Sequence, residues 1–462
     1  MNDEKIHVKG WPSSVRSRRS NKIGVWHRDW SRRHEHRGEF RPEGRVEGSE
    51  YNVHHLDVDT PLGAEADYGR RVDEISGRDP DTRQWLPEPD AHGRFRGAML
   101  AASVGDALGS AVASGAVRRL SWEPSVMLRD DELLTEYVAQ ESPLRSTALT
   151  QLSAFSVEGL IRAHVARRNN PVDNDPVPEV QHAFQRWLYT QRVPRGSRGQ
   201  WRGIGGPYAA HHDEPDGWLV QREEMYVERT PNPGVLAALS NIAGLGVEAA
   251  HAGNLDKARG GDVVARAAML AIWSNELHEV FAAAADVAAL THDSPDDYLA
   301  AGVLAGILHQ QLRGLAFSDC LFNAYQELTR WRGSEKTVTL IEESVKVTQT
   351  VWSPAPVPKV RGHFGDGADG AEALAIALYA ALASDYVREA LQLAMNYTEN
   401  RSVVGAICGL MVGAEYGDRA IPHDLGAFEL RNVIEALAND ALVEFSPNPP
   451  TDDAWSRRYP AW

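Results

Sequence analysis

The stretch Arg94-Phe-Arg-Gly-Ala-Met-Leu-Ala-Ala-Ser-Val-Gly-Asp-Ala-Leu-Gly109 decides the fold. It is apolar and built from small residues, the composition of a buried helix that packs closely against its neighbours. Further segments of the same kind follow it along the chain. Between Thr147 and Ala166, apolar residues fall at Leu149, Leu152, Phe155, Val157, Leu160 and Ile161, near helical spacing. Ser294-Pro295-Asp296-Asp297 reads as a helix start, with Ser as N-cap, Pro in the first turn and acids facing the helix dipole. The helix it opens runs through Leu299, Val303, Ile307 and Leu308. Glu372–Leu382 and Val403–Ala414 are two more Ala/Gly/Leu helices. Strand signals are scarce, and Val345–Val351 fits a helix end as well as a strand. Residues 92–440 are expected to form one all-α domain, and the breaker-rich residues 441–462 a C-terminal tail.

Composition sets the outer limits. A chain of 462 residues with 43% apolar and 24% charged residues is not wholly disordered. Two cysteines, Cys320 and Cys408, cannot staple a chain of this size and are expected as buried small hydrophobes. No apolar run reaches the roughly 18–20 residues of a membrane span; the best, Ala371–Ala383, carries Glu372. The N-terminus shows no apolar signal-peptide core, and a cytoplasmic location is the expectation. The net charge of −16 is unevenly spread. Residues 1–50 hold 12 Lys/Arg against 8 Asp/Glu, and the remainder 36 against 56, so a basic arm precedes an acidic body.

Residues 1–91 read as an irregular extension in which Trp11, Trp26 and Trp30 interleave with Arg16–Arg19 and Arg28–Arg37. Aromatic rings among arginines suit single-stranded nucleic acid. Docking of the tryptophans on the protein's own body, with the charges left solvated, is the favoured reading, since that body is acidic and no nucleic-acid fold motif accompanies them; a protein partner for the arm is a further possibility. There is no phosphate loop, no Cys/His metal spacing, no nucleophile elbow and no internal repeat.

Several segments occur in an order that resembles a known family. They are Arg94–Gly97 through Val104–Gly109, then Gln151–Ala163 ending Val157-Glu-Gly-Leu-Ile-Arg-Ala163, then Arg186–Gln191 and Asp216–Leu219. Thr291-His292 with Pro295, Gly367 with Ala371–Ala377, and Asn396 with Gly405–Gly409 and Tyr416-Gly417 complete the set. Together, over about residues 92–423, they resemble the ADP-ribosylglycohydrolases. The resemblance implies a compact orthogonal multi-helix fold, removal of ADP-ribose from modified side chains, and a pair of magnesium or manganese ions. Such ions need several carboxylate oxygens to offset lost hydration, and they polarise the ribose oxygens during cleavage.

At the positions where the resemblance implies those carboxylates, this chain has none. The first reads Ala113. The second run reads Thr147-Ala148-Leu149-Thr150, with both aspartates replaced and both flanking hydroxyls kept. The third reads Glu399-Asn400-Arg401-Ser402-Val403, where Asn400 and Ser402 stand for the aspartates. Ala and Leu cannot ligate, Asn and Ser ligate weakly, and Arg401 would repel a cation if it pointed inward. No metal cofactor is expected. Asp130-Asp131-Glu132 and Glu399 could supply a relocated metal site only through a remodelled loop. Candidates for a surviving ligand pocket are Asp106, Thr147, Thr150, His292, Asn400 and Ser402, with Asp366 expected as a loop acid. Asp106 is also expected as a buried acid that orders helix ends. The leading expectation is a pseudoenzyme that binds ADP-ribose, an ADP-ribosylated protein or a protein partner such as an ADP-ribosyltransferase blocked by the arm. The alternatives are an active hydrolase with a relocated site and a docking protein driven by the basic arm.

Overall fold

Helix α1 (Ala91–Ser114) starts where Asp90 accepts a hydrogen bond from the Gly93 N–H, 2.7 Å away, and stops at Gly115 with φ of +76°. Its partner is α13 (Arg401–Tyr416), which runs antiparallel to it. The two backbones meet through glycines at four-residue intervals. A Cβ on Gly105 would lie 2.1 Å from the Gly405 carbonyl oxygen, and one on Gly409 would lie 2.3 Å from that of Ala101. Farther along, Gly97 meets Gly413, and Gly109 meets the backbone of Arg401 and Ser402. Only residues without side chains permit this approach, which explains the small-residue composition of both segments. Among the described residues α1 alone has the length and apolarity to cross a membrane, and 83% of its most apolar window is buried inside the protein.

The computed structural model describes residues 86–122, 134–140, 142–170, 174–210, 212–229, 231–245, 257–350 and 354–461. Trp11, Trp26, Trp30 and the Asp130-Asp131-Glu132 run lie outside the described residues. Around the α1–α13 pair stand α2 (Ala148–Asn169), α3 (Val177–Arg192), α4 (Pro233–Leu245), α5 (Asp262–Ala267), α6 (Leu277–Ala289), α7 (Pro295–Gln311) and α8 (Phe317–Leu328). After these come α9 (Glu335–Thr350), α10 (Val357–Phe364), α11 (Gly370–Ala383) and α12 (Val387–Tyr397). The architecture is all-α. Helix α9 takes in residues 345–350 of the segment whose type the sequence left open, and Val351 lies outside the described residues. Cys320 and Cys408 are both free and buried.

The sequence does not anticipate one antiparallel hairpin, β1 (Val117–Trp122) with β2 (Leu134–Ala139). Its β2 edge is closed by side chains of α12. Gln392 both accepts from the Tyr137 N–H and donates to its carbonyl, each at 2.9 Å, and Asn396 does the same for Thr135 at 2.8 and 2.7 Å. Two amides one turn apart thus imitate a neighbouring strand.

Three of the motif segments meet in one buried polar cluster. Glu158 of α2 pairs with Arg186 of α3 at 2.6 Å, and Arg162 reaches Asp216 at 2.9 Å. Gly217 follows with φ of +91°, its Cα facing the Glu158 and Arg162 side chains. The C-terminal residues are equally integrated. Helix α14 (Arg431–Glu444) crosses the expected boundary at 440, and buried Glu444 accepts from Arg168 and from the Trp455 indole, both at 2.7 Å. Trp455 lies on α15 (Asp453–Arg458), after which Tyr459 is fully buried and donates to Asp440 at 2.5 Å.

Candidate functional site

Asp106 occupies the middle of α1 and is fully buried. Its Oδ2 accepts from the Thr147 N–H at 2.8 Å and from the Thr150 hydroxyl at 2.6 Å, while Oδ1 accepts from the Thr147 hydroxyl at 2.7 Å. The Thr147 oxygen in turn accepts from the Leu149 N–H and caps α2. A carboxylate at the positive end of α2 is favourable, but burial dominates and raises the Asp106 pKa above the ordinary aspartate value. The Ser402 hydroxyl donates to the Asp106 carbonyl at 2.9 Å. One residue therefore fastens the starts of α2 and α13 to α1.

The start of α13 is tied in the other direction as well. Asn400 donates from Nδ2 to the Gly367 carbonyl at 3.0 Å, and its own N–H is bonded to the Thr398 hydroxyl. Thr398 donates to the carbonyl of Asp366, the expected loop acid. Arg401 does not face this junction. Its Nε donates to the Met395 carbonyl at 3.1 Å, and its Nη1 pairs with Glu399 at 2.6 Å. Arg361 reaches the Tyr397 carbonyl and Glu399 in the same way. The two arginines cap the C-terminal end of α12, where carbonyls carry partial negative charge.

A second carboxylate centre lies next to the first. Asp297, fully buried near the start of α7, accepts from the Gly370 N–H at 2.7 Å and from the Gly260 N–H at 3.2 Å. It joins the entrance of α11 to the Gly260-Gly261 loop, and burial raises its pKa. A Cβ on Gly261 would meet Val403 of α13 at 3.1 Å and Ala373 of α11 at 2.8 Å, so this loop abuts the α13 start. Asp262 follows it, opening α5. Its Oδ1 accepts from the Asn232 amide at 3.0 Å and faces His292 Nε2 at 3.3 Å. His292 Nδ1 faces the Thr291 hydroxyl at 3.0 Å, and that oxygen accepts from Arg266 Nη2 at 2.5 Å. Burial pulls the Arg266 guanidinium down to about 10. Burial would by itself raise Asp262, but the His292 hydrogen bond and the nearby positive charge of Arg266 outweigh it and hold the carboxyl below the ordinary value.

The helix starts of α2, α7, α11 and α13 thus converge through Asp106, Asp297 and Asn400. Of the sequence candidates, Asp106, Thr147, Thr150 and Ser402 form one hydrogen-bonded unit. Asn400 lies on its α11 side, and His292 belongs to the neighbouring unit around Asp262. Asp262 and Arg266 were missed by sequence reasoning. The Gly260-Gly261 pair ahead of Asp262 was the available signal, because paired glycines before a helix mark a close backbone approach.

The positions at which the resemblance implies metal ligands do not fit two divalent cations. Ala113 is exposed in the last turn of α1. Ala148 and Leu149 are buried, and Leu149 borders a void of about 10 Å³ that is lined also by Met99, Met269 and Ile434 and by the hydroxyl residues Ser103, Thr150 and Ser153. Asn400 Nδ2 and the Ser402 hydroxyl donate to backbone carbonyls, and the oxygens they keep are neutral. Among the described residues, no three His, Cys, Asp or Glu side chains gather where they could hold a metal ion. The donor set here is neutral where hard cations need charged oxygen.

An all-helical body whose helix starts converge on one polar junction is the class of protein that this fold and site define. The family model for ADP-ribosylglycohydrolase matches residues 87–450, and the chain belongs to that family. Among solved structures, an ADP-ribosylglycohydrolase-related protein complex is similar at 24% identity and a TM-score of 0.48, over 77% of this chain and 99% of the other. No curated protein matches the chain.

Proposed function

We propose that this protein uses the ADP-ribosylglycohydrolase fold to bind ADP-ribose, free or attached to a protein, without metal-dependent hydrolysis. The observation that carries this reading is the contrast within one junction. The hydrogen-bonded frame around Asp106, Thr147, Thr150 and Ser402 is complete, while the acid positions beside it hold Ala148, Leu149 and Asn400. Helix starts aimed at a shared region favour an anionic ligand such as a diphosphate. A frame kept without charged metal ligands supports binding rather than cleavage. The basic arm of residues 1–50 is then a means of attachment to a protein partner.

A relocated metal site draws no support from Glu399. Its carboxylate is 67% exposed and shared between Arg361 and Arg401. The experiment is calorimetric titration of the full chain with ADP-ribose, beside an assay of ADP-ribosyl-arginine hydrolysis with Mg²⁺ or Mn²⁺ and with EDTA. Binding without turnover is expected. Turnover that requires metal and stops with EDTA would overturn the reading.

A further inference from the structure

The β1–β2 hairpin has one closed edge and one open one. Gln392 and Asn396 take the backbone groups of Tyr137 and Thr135, which therefore face α12. Backbone direction alternates along an antiparallel strand, so Leu134, Glu136 and Val138 turn toward β1 and meet Trp122, Leu120 and Arg118. Arg119 and Ser121 are left with their N–H and C=O groups directed away from the sheet. Among the described residues none bonds to those groups. Arg119 and Ser121 are exposed on one face of β1, and Leu120 between them is half-buried on the other. An open strand edge of this kind is a template for another strand.

We propose that this edge is a docking site for the chain's own segment His55-Leu56-Asp57-Val58-Asp59, added as a third strand. The proposal is independent of the ADP-ribose reading. The segment alternates aliphatic and acidic residues, and Pro61 follows it as a breaker. Strand spacing puts Asp57 and Asp59 on one face and Leu56 and Val58 on the other. That alternation complements β1, with acids on the face of Arg119 and Ser121 and an aliphatic residue on the face of Leu120. Other stretches fit worse. Lys5-Ile6-His7-Val8-Lys9 alternates too, but sets lysines against arginines, and Ala64-Glu65-Ala66-Asp67 relies on alanine, which strands disfavour. A second copy of β1 would bring arginines against arginines, which like charge opposes. Reach is sufficient. The hairpin follows the far end of the 24-residue α1, about 36 Å from its start. The 26 residues from 60 to 85 extend to roughly 85 Å. Docking there would hold the basic residues 1–50 at a fixed point on the acidic body.

The test is hydrogen exchange of the full chain, read by mass spectrometry at residues 117–122, with the amides of α1 and α13 as the folded reference. In wild type the Arg119 and Ser121 amides are expected to exchange about tenfold or more slowly than in Val58→Pro, because proline cannot donate and breaks the pairing. Asp57→Lys with Asp59→Lys should release them as well, and adding Arg119→Glu should restore the protection. Equally fast exchange in wild type and Val58→Pro would show an edge left to water and overturn the proposal. Protection that survives Val58→Pro would overturn it too, by showing a different occupant. A rise of that protection with protein concentration would identify the occupant as a second copy.

Discussion

Asp106 and Asp262 are two aspartates in one junction with opposite fates. Asp106 is fully buried, both of its oxygens are taken by Thr147 and Thr150, and burial raises its pKa. Asp262 is partly exposed, its described bonds fall on one oxygen, and its surroundings hold its pKa down. The difference teaches what an acid in this fold is for. A saturated carboxylate in the interior is frame, and its worth is measured in stability. A half-satisfied one at the surface has capacity left for something outside the protein.

The largest effects should come from the frame. Gly409→Val puts a branched side chain where the Ala101 backbone already stands 2.3 Å from a Cβ position, and backbone cannot rotate aside. A loss of about 3 kcal/mol or more is expected from urea unfolding, the upper end for overpacking. Gly115→Ala is the control. Nothing lies within 4 Å there, and only its φ of +76° opposes a side chain, so about 1 kcal/mol should be lost. Asp106→Ala comes next. It leaves the Thr147 N–H and two hydroxyls without their acceptor and should cost about 2–3 kcal/mol. A much smaller loss would break the division between frame and site.

The two aspartates should also respond to pH in opposite directions. Each wild type is compared with its own Asn variant by thermal unfolding across the acid range. The folded pKa of Asp106 is raised, so its contribution is full below the ordinary aspartate value of about 3.9 and is lost as pH rises through the folded value. That of Asp262 is lowered, so its contribution is present above the ordinary value and is lost as pH falls through the folded one. Parallel curves would mean that the two environments differ less than their hydrogen bonds suggest.

The frame was far more legible in the sequence than the site. Small residues from Gly97 to Gly109 and from Gly405 to Gly413 announce close helix packing because no other composition permits it. Thr147 and Thr150 could be placed by the helix register that follows them. The hairpin was illegible for a physical reason. Its β2 edge is satisfied by Gln392 and Asn396, more than 250 residues away, and no local pattern encodes that pairing. Arg401 was open to misreading in the same way, since its target is the end of a different helix. Asp262 escaped notice because an isolated acid after two glycines looks like any loop. Its meaning depends on His292, thirty positions on.

The smallest expected effect separates the candidate sites most cleanly. Glu399 is mostly exposed, and Arg361 and Arg401, led by the Arg361 hydrogen bond, hold its carboxyl below the ordinary glutamate value. Exposed pairs of this kind contribute little, because water and salt screen them and two long side chains must be ordered. Glu399→Gln should therefore change stability by no more than about 0.5 kcal/mol and leave ADP-ribose binding as it was. The informative measurement is the same variant titrated with Mg²⁺ and Mn²⁺ while the unfolding midpoint is followed. A metal-binding native state would be stabilised in proportion to the logarithm of metal concentration. Flat responses in both wild type and variant are expected, since among the described residues no three His, Cys, Asp or Glu side chains gather where they could hold a metal ion. A metal-dependent rise in wild type that Glu399→Gln removes would show that Glu399 takes part in a metal site. The contrast between Asp106 and Asp262 would then have to admit a third kind of acid, exposed in the free protein and engaged only with a cation bound.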